Sequence, residues 1–378
     1  MAENRIDVAI VGAGILGLAH AYTAARKGRS VVVFERSPRA EGASVRNFGM
    51  IWPIGQAAGA THDLALRSRE IWLDLLRRSQ LPFLPTGSLH VTYRDDEAAV
   101  AREFSEIAPA RGYECQWLSA DAVLSRSSAV RPEELRGGLW SALELTVDPR
   151  SILSKLPQFL ADQLGVQFRY GCAVRSVALP VVDTGSERWL ADRAIICSGH
   201  DLGTLFPGEL KQSDLKLCKL QMMRTKPQPA GWKLGPSLAA GLTLRFYPAF
   251  QMCSSLPALS ERIASETPEY DRWGIHLLVS ETESGELTIG DSHEYGDGID
   301  IFDKPEIDRL ILDYANSFLV APSLELAQRW HGIYSKHTTQ PFISLSPEAG
   351  VRIVTATGGS GMTLAFGIAE QTIAAMQI

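Results

Sequence analysis

Asp7-Val-Ala-Ile-Val-Gly12-Ala-Gly14-Ile-Leu-Gly17-Leu18 is the stretch that decides the fold. An apolar run suited to a buried parallel strand leads straight into Gly-x-Gly-x-x-Gly, and then into an Ala-rich helical segment. Gly12 permits the tight turn, and Gly14 lets the backbone approach a pyrophosphate. Gly17 lets helix and strand pack closely, and the helix opening at Ile15 and Leu16 offers free N–H groups to phosphates. A second apolar strand, Ser30-Val-Val-Val-Phe34, ends in Glu35, where a ribose hydroxyl needs an acceptor. A glycine triplet alone is weak evidence, but here strand, helix and acid agree on a bound dinucleotide. Glu35 would repel a 2′-phosphate, which disfavours NADP. Arg36 beside it reads either as a solvated surface residue or as part of the cofactor site.

The rest of the chain bounds the answer. It has 378 residues, 45% of them hydrophobic, enough for two lobes rather than one. The net charge is −6, with no basic run, which speaks against nucleic acid and anionic membranes as partners. The N-terminal apolar stretches are broken by glycines and read as a strand and helix, not as a signal peptide or a membrane span. Cys115, Cys172, Cys197, Cys218 and Cys253 form no C-x-x-C pair. Free thiols in a reducing cytoplasm are therefore expected, and no metal site.

Periodicity predicts a helix over 61–79, with Leu64, Ile71, Leu75 and Leu76 as its apolar stripe. A strand follows over 87–93. A second helix starts at Val147-Asp-Pro149, with Asp148 as N-cap and Gly165 as its end. Strands are expected over 166–168, 173–177 and 194–199. Runs at 217–224, 242–247, 275–280 and 286–290 then suggest a mostly antiparallel sheet. The C-terminus returns to a strand over 350–356, a glycine-rich loop over 357–361 and a helix over 362–376. The dinucleotide lobe is thus built from both chain ends with another lobe inserted. Its expected parts are 1–80, 145–215 and 325–378, and the substrate lobe takes 81–144 and 216–324.

Four further segments carry a resemblance. They are Gly42-Ala-Ser-Val-Arg-Asn-Phe-Gly49, Val147-Asp-Pro149, the pair Ala173-Val-Arg-Ser-Val177 and Arg193-Ala-Ile-Ile-Cys-Ser-Gly199, and Thr357-Gly-Gly-Ser-Gly-Met-Thr363. Over nearly its whole length the chain resembles the flavin-dependent amine oxidase superfamily of D-amino acid, glycine and sarcosine oxidases. The resemblance implies a Rossmann-like FAD-binding domain of the glutathione reductase-2 type. It adds cofactor contacts at Ser44, Asn47, Phe48, Gly49, Val174, Ser198, Gly199, Gly358, Gly359, Gly361, Met362 and Thr363. The last loop would aim a helix N-terminus at the flavin C2 carbonyl, where hydride arrival places negative charge.

The chain also departs from the amino-acid oxidases. Where glycine oxidase-like proteins place an arginine on the substrate carboxylate, Trp330-His-Gly-Ile-Tyr-Ser-Lys-His337 has Tyr334. The bidentate clamp is missing there. This strand, with 46–53, 217–224 and 290–295, resembles a branch associated with bacterial breakdown of 2-aminoethylphosphonate and its N-methyl derivative. That branch implies oxidation of a small aminophosphonate to phosphonoacetaldehyde plus ammonia or methylamine, with oxygen reoxidising the flavin. A phosphonate needs cations and hydrogen-bond donors, for which Arg46, Tyr247, His276, Tyr334, Lys336 and His337 are the candidates. Tyr247 and His276 read equally well as core residues, and His331 as a packing histidine. Arg245 and Arg329 read as solvent-facing or paired with acids. A glycine, sarcosine or D-amino acid oxidase, or a dehydrogenase, remains the alternative, and no general base is identified.

Overall fold

The computed structural model describes residues 4–296 and 298–378. Among them two large sheets organise the molecule. The first has five parallel strands in the order Gln167–Tyr170, Val31–Glu35, Asn4–Val11, Arg188–Ile196, Val351–Thr355. Val31 and Val33 enter one hydrophobic core, and Val32 and Phe34 enter the other. A sheet covered on both faces needs an uninterrupted apolar strand, as these sequences supply. The Ile15–Arg26, Pro149–Leu164 and Gly361–Ala375 helices contribute to one of those cores. Asp148 caps the second by accepting from the Arg150 N–H, and Gly165 ends it at φ 68°.

The second sheet has nine strands, antiparallel except where Ser237–Ala239 runs parallel to Ser88–Thr92. Its longest pairing joins Leu215–Thr225 to Leu326–His337 and sets Tyr334 opposite Cys218. Strand Leu326–His337 therefore belongs to this sheet, although it lies beyond residue 325 in sequence. The fold is the expected mixed α/β architecture: a doubly covered parallel sheet beside a mostly antiparallel one.

One expected strand is absent. Residues 242–247 do not extend; Gly241–Leu244 is a helical turn, and Tyr247 precedes a 3₁₀ turn at Pro248–Met252. The Leu242 N–H donates to the Tyr314 hydroxyl (3.0 Å), and the Thr243 hydroxyl donates to the Leu277 carbonyl (2.9 Å). Leu242, Thr243 and Leu244 are all buried, so the apparent alternation did not mark an inside and an outside. Two other strands start late: Ser176–Ala178, and Leu278–Glu281, which leaves His276 just outside. The ladder still reaches His276, whose carbonyl accepts from the Asp291 N–H at 3.0 Å.

Three buried imidazoles make stability depend on pH. Burial lowers His20 to about 4 and His90 to about 3, and it lowers His293 to about 4 against the pull of Asp291. Unfolded histidine binds its proton near pH 6.5, so between these values the unfolded state holds more protons. Stability is then complete above about pH 6.5 and falls as pH drops toward 4. Chemical denaturation at a series of pH values should show the loss. His20→Gln should flatten it, and an unchanged slope would count against the assignment.

Candidate active site

A cavity of about 850 Å³ opens where the two sheets meet. Gly12, Gly14, Ile15 and Leu16 form part of its wall at the end of the first strand. A Cβ on Gly12 would lie 2.3 Å from the Cys197 carbonyl oxygen, and its φ is 102°. Only glycine fits there. The Ile15–Arg26 helix begins at Gly14 with no cap from Gly14 itself; Ser44 takes the Ile15 N–H that the sequence suggested was free, so the backbone donors left for a ligand begin at Leu16. Glu35 accepts the N–H groups of Ala13 and Ser37, both at 3.0 Å, and this fixes its carboxylate at the strand end. Arg36 lines the cavity too, while pairing with Asp201 at 2.7 Å.

Ser44, Asn47 and Phe48 continue the wall, joined by Val174, Ser198 and Gly199. The Ser44 hydroxyl accepts the Ile15 N–H at 2.9 Å, and the Asn47 amide braces its own turn through the Ala43 and Ser44 carbonyls. Gly358, Gly359, Gly361 and Met362 close the wall opposite. Gly358 has φ 54°, and the Gly361–Ala375 helix starts there without a side-chain cap. Two uncapped helix starts and a held carboxylate around one cavity suit a long anionic dinucleotide. Gly17, Gly49 and Thr363 are not part of the lining. Gly17 packs on Gly12, Gly49 packs on Val147, and the Thr363 hydroxyl accepts the Trp52 N–H at 2.9 Å.

The second sheet supplies the remaining wall, and all six substrate candidates reach it: Arg46, Tyr247, His276, Tyr334, Lys336 and His337. Gly332, Tyr334 and Lys336 alternate onto one face of their strand. Arg46 sits against Gly332 and donates to the His331 carbonyl at 2.9 Å. Lys336 lies against Gly358, with its ammonium 5.6 Å from the Tyr295 ring centroid and in no ion pair among the described residues. Arg46 meets this strand at Gly332 and Lys336 lies on it two residues beyond Tyr334, so the two cations come to the strand on either side of Tyr334. The His337 Nδ1 accepts the Thr339 and Gln340 N–H groups, so its ring shapes a turn at the rim. His331 points elsewhere and pairs with Asp303 at 2.9 Å. Arg245 and Arg329 pair with Asp271 and Asp308.

Burial raises the Tyr247 and Tyr334 phenols well above their ordinary values, so both remain hydrogen-bond donors. Tyr334 is 8% exposed, and its hydroxyl is 4.0 Å from where a Gly359 Cβ would stand.

Asp291 and His293 also line the cavity and were not singled out from the sequence. With His276 they form a buried cluster whose donor atoms lie within 4.8 Å of one another. Phe246 stacks on His276 at 3.8 Å between centroids. The signal was the Gly290-Asp-Ser-His-Glu-Tyr295 segment, in which Asp291 and His293 closely follow a strand end.

Comparison with known proteins agrees with this geometry. A family model described as FAD dependent oxidoreductase matches residues 7–375. The chain belongs to this family of FAD-dependent oxidoreductases, and FAD is its cofactor. Glycine oxidase of Geobacillus kaustophilus (strain HTA426) is 24% identical over 207 residues, which covers 52% of this chain and 55% of that relative. The match to this curated relative thus spans about half its length. Among solved structures, glycine oxidase from Geobacillus kaustophilus superposes with a TM-score of 0.77 at 18% identity, covering 99% of this chain and 94% of that one. L-α-glycerophosphate oxidase from Mycoplasma pneumoniae with FAD bound gives 0.75 at 19% identity, covering 99% and 95%. L-proline dehydrogenase from P. horikoshii gives 0.76 at 16%, covering 98% and 92%. These structural likenesses establish the shared fold. Among the described residues no helix is long and apolar enough to cross a membrane.

Proposed function

We propose that the protein oxidises a small amine bearing a phosphonate, 2-aminoethylphosphonate or its N-methyl derivative. What supports this is Tyr334, a buried phenol at the position where the resemblance implies a carboxylate-binding guanidinium, with Arg46 and Lys336 near its strand and Lys336 in no ion pair among the described residues. A dianionic tetrahedral group is met better by separate cations and hydroxyl donors than by one planar fork. Met222, Phe246 and Leu278 supply apolar wall to the cavity, which disfavours the ammonium and favours the neutral amine. FAD, which the wall of Gly12, Gly14, Leu16, Glu35 and residues 358–362 would hold, would supply the acceptor for hydride from the carbon next to nitrogen. Water then hydrolyses the resulting imine to phosphonoacetaldehyde and ammonia or methylamine. Tyr247 and Tyr334 orient the substrate by donating their hydroxyls. A cytoplasmic location and reoxidation by oxygen complete the proposal.

The glycine oxidase relative supports a second reading, in which a glycine-, sarcosine- or D-amino acid-type substrate takes the aminophosphonate's place. Anaerobic flavin reduction across a panel of amines, followed by peroxide measurement in air, decides between them. Faster reduction by glycine, sarcosine and D-alanine than by every aminophosphonate would sink the phosphonate proposal. Lys336→Ala should raise apparent KM roughly tenfold to a hundredfold, the loss of one charged contact, with FAD content unchanged. Arg46→Ala should raise apparent KM likewise and, because Arg46 lies beside the cofactor segment, lower FAD content too. Tyr334→Arg should shift preference toward a carboxylate substrate. Unchanged kinetics in Lys336→Ala and Tyr334→Arg would remove this strand from the substrate site.

A further inference from the structure

Among the described residues, two buried atoms of the cavity's inner cluster, Oδ1 of Asp291 and Nδ1 of His276, have no partner in hydrogen-bonding geometry. Asp291 is 6% exposed and His276 is 3% exposed, and both residues line the cavity. Nε2 of His276 lies 3.1 Å from Oδ1 of Asp291. The other imidazole gives the carboxylate no hydrogen bond. Nδ1 of His293 is 3.0 Å from the Gly274 carbonyl, which fixes its proton on that side. Its Nε2, 3.9 Å from Oδ2 of Asp291, then presents a lone pair toward the acid. Burial holds His293 at about 4, so it is neutral at working pH and remains in that tautomer. Burial pushes the Asp291 carboxyl up, but His293 and His276 outweigh it and hold it below its ordinary value. A buried carboxylate short of donors is costly unless a ligand completes it. An ammonium brings three donors and one charge of the right sign.

We infer that Asp291 receives the substrate's ammonium group and that the Asp291–His276 pair takes its proton. An ammonium N–H bond breaks, its electron pair stays on nitrogen, and the proton passes to the pair, which becomes imidazolium–carboxylate. The neutral amine left behind has the lone pair that supports hydride loss from the adjacent carbon. Charge is conserved within the cavity, and no other reactant is consumed. The inference rests on the amine reading and deepens it by giving the substrate a direction. The phosphonate, being an anion, is repelled from the Asp291 carboxylate and lies away from it in the cavity. His276 accordingly serves the amine end, not the anion end.

Among the described residues, the other titratable groups facing this corner are Tyr247, Cys218, Tyr334, Tyr295 and Lys336. Burial raises the four phenol and thiol groups, Cys218 to about 12, so none of these takes the proton near neutrality. Lys336 is cationic and disfavours a second positive charge nearby.

The test is flavin reduction by 2-aminoethylphosphonate in anaerobic stopped flow, across pH, in wild type, Asp291→Asn and His276→Gln. Proton transfer by a positioned group is worth roughly 10²–10⁴-fold, so each variant should be slowed by at least about a hundredfold at pH 7. The deficit should close as pH rises toward the amine's own pKa, where solution delivers the neutral form. A deficit of the same size at every pH would mark a structural role and overturn the inference, as would wild-type rates in Asp291→Asn. Wild type alone gives an independent reading if the variants fail to fold. With 2-amino-1,1-difluoroethylphosphonate, a less basic amine, the rise in reduction rate with pH should shift down or vanish. The same profile for both amines would overturn the inference. Failure of every amine to reduce the wild-type flavin would instead defeat the amine reading itself.

Discussion

Gly17→Ala should yield a protein without FAD, colourless or insoluble, although Gly17 does not touch the cavity. A Cβ at this position would lie 1.8 Å from the Gly12 carbonyl oxygen and 3.5 Å from Ile10 Cγ2. The first contact is to backbone, so no side chain can swing aside. Either the Ile15–Arg26 helix moves off its strand, or the turn at Gly12 is rebuilt. Both displace the helix start that borders the cofactor. Overpacking of this kind costs about 1–3 kcal/mol in ordinary cores. A larger cost is expected here, because the neighbour is a turn already committed to φ 102°. The ratio of flavin to protein absorbance reads the outcome. Gly203→Ala is the control, since a Cβ there meets nothing within 4 Å. Full FAD occupancy in Gly17→Ala would show that the turn tolerates rebuilding and is not what positions the cofactor.

Trp72→Ala should produce the largest loss of stability outside the glycine turns. Trp72 is fully buried on the Ala60–Ser79 helix. Its ring packs edge-on against Phe366 at 4.7 Å, and its Nε1 donates to the Met362 carbonyl at 2.8 Å. Removing a buried aromatic ring costs about 3–5 kcal/mol through lost burial and an unfilled cavity. The two contacts fall on the first turns of the Gly361–Ala375 helix, whose start lines the cavity. FAD should therefore bind more weakly in Trp72→Ala than in Trp72→Phe, which keeps most of the packing. Thermal unfolding with and without added FAD measures both effects. Equal FAD affinity in the two variants would confine Trp72 to a packing role, and an unchanged melting temperature would contradict its place in the core.

The parallel sheet was legible because its chemistry is local. Val31 to Phe34 must be apolar throughout to be covered on both faces, and Gly12 must be glycine to turn as it does. The Pro149–Leu164 helix could be read for the same reason, since Asp148, Pro149 and Gly165 mark its ends within the segment itself. Residues 242–247 could not. Their conformation is set by Tyr314 and Leu277, far away in sequence, through hydrogen bonds that replace a strand ladder. The apolar stripe of the Ala60–Ser79 helix was found in outline, but Ile71 is only partly buried and Trp72 is the residue at its centre.

The candidate site divides in the same way. By itself the sequence determined the dinucleotide loop, the acid at Glu35 and the terminal glycine loop. Each of these is a property of a short segment. Only the tertiary structure decided what those segments enclose. The ladder between Leu215–Thr225 and Leu326–His337 carries Tyr334 and Lys336 to the glycine loop, and the turn before Pro248 sets Phe246 on His276. Asp291 and His293 become one cluster with His276 because two strands meet edge to edge. A side chain's charge is written in the sequence, but the donors it lacks are known only once its neighbours are in place.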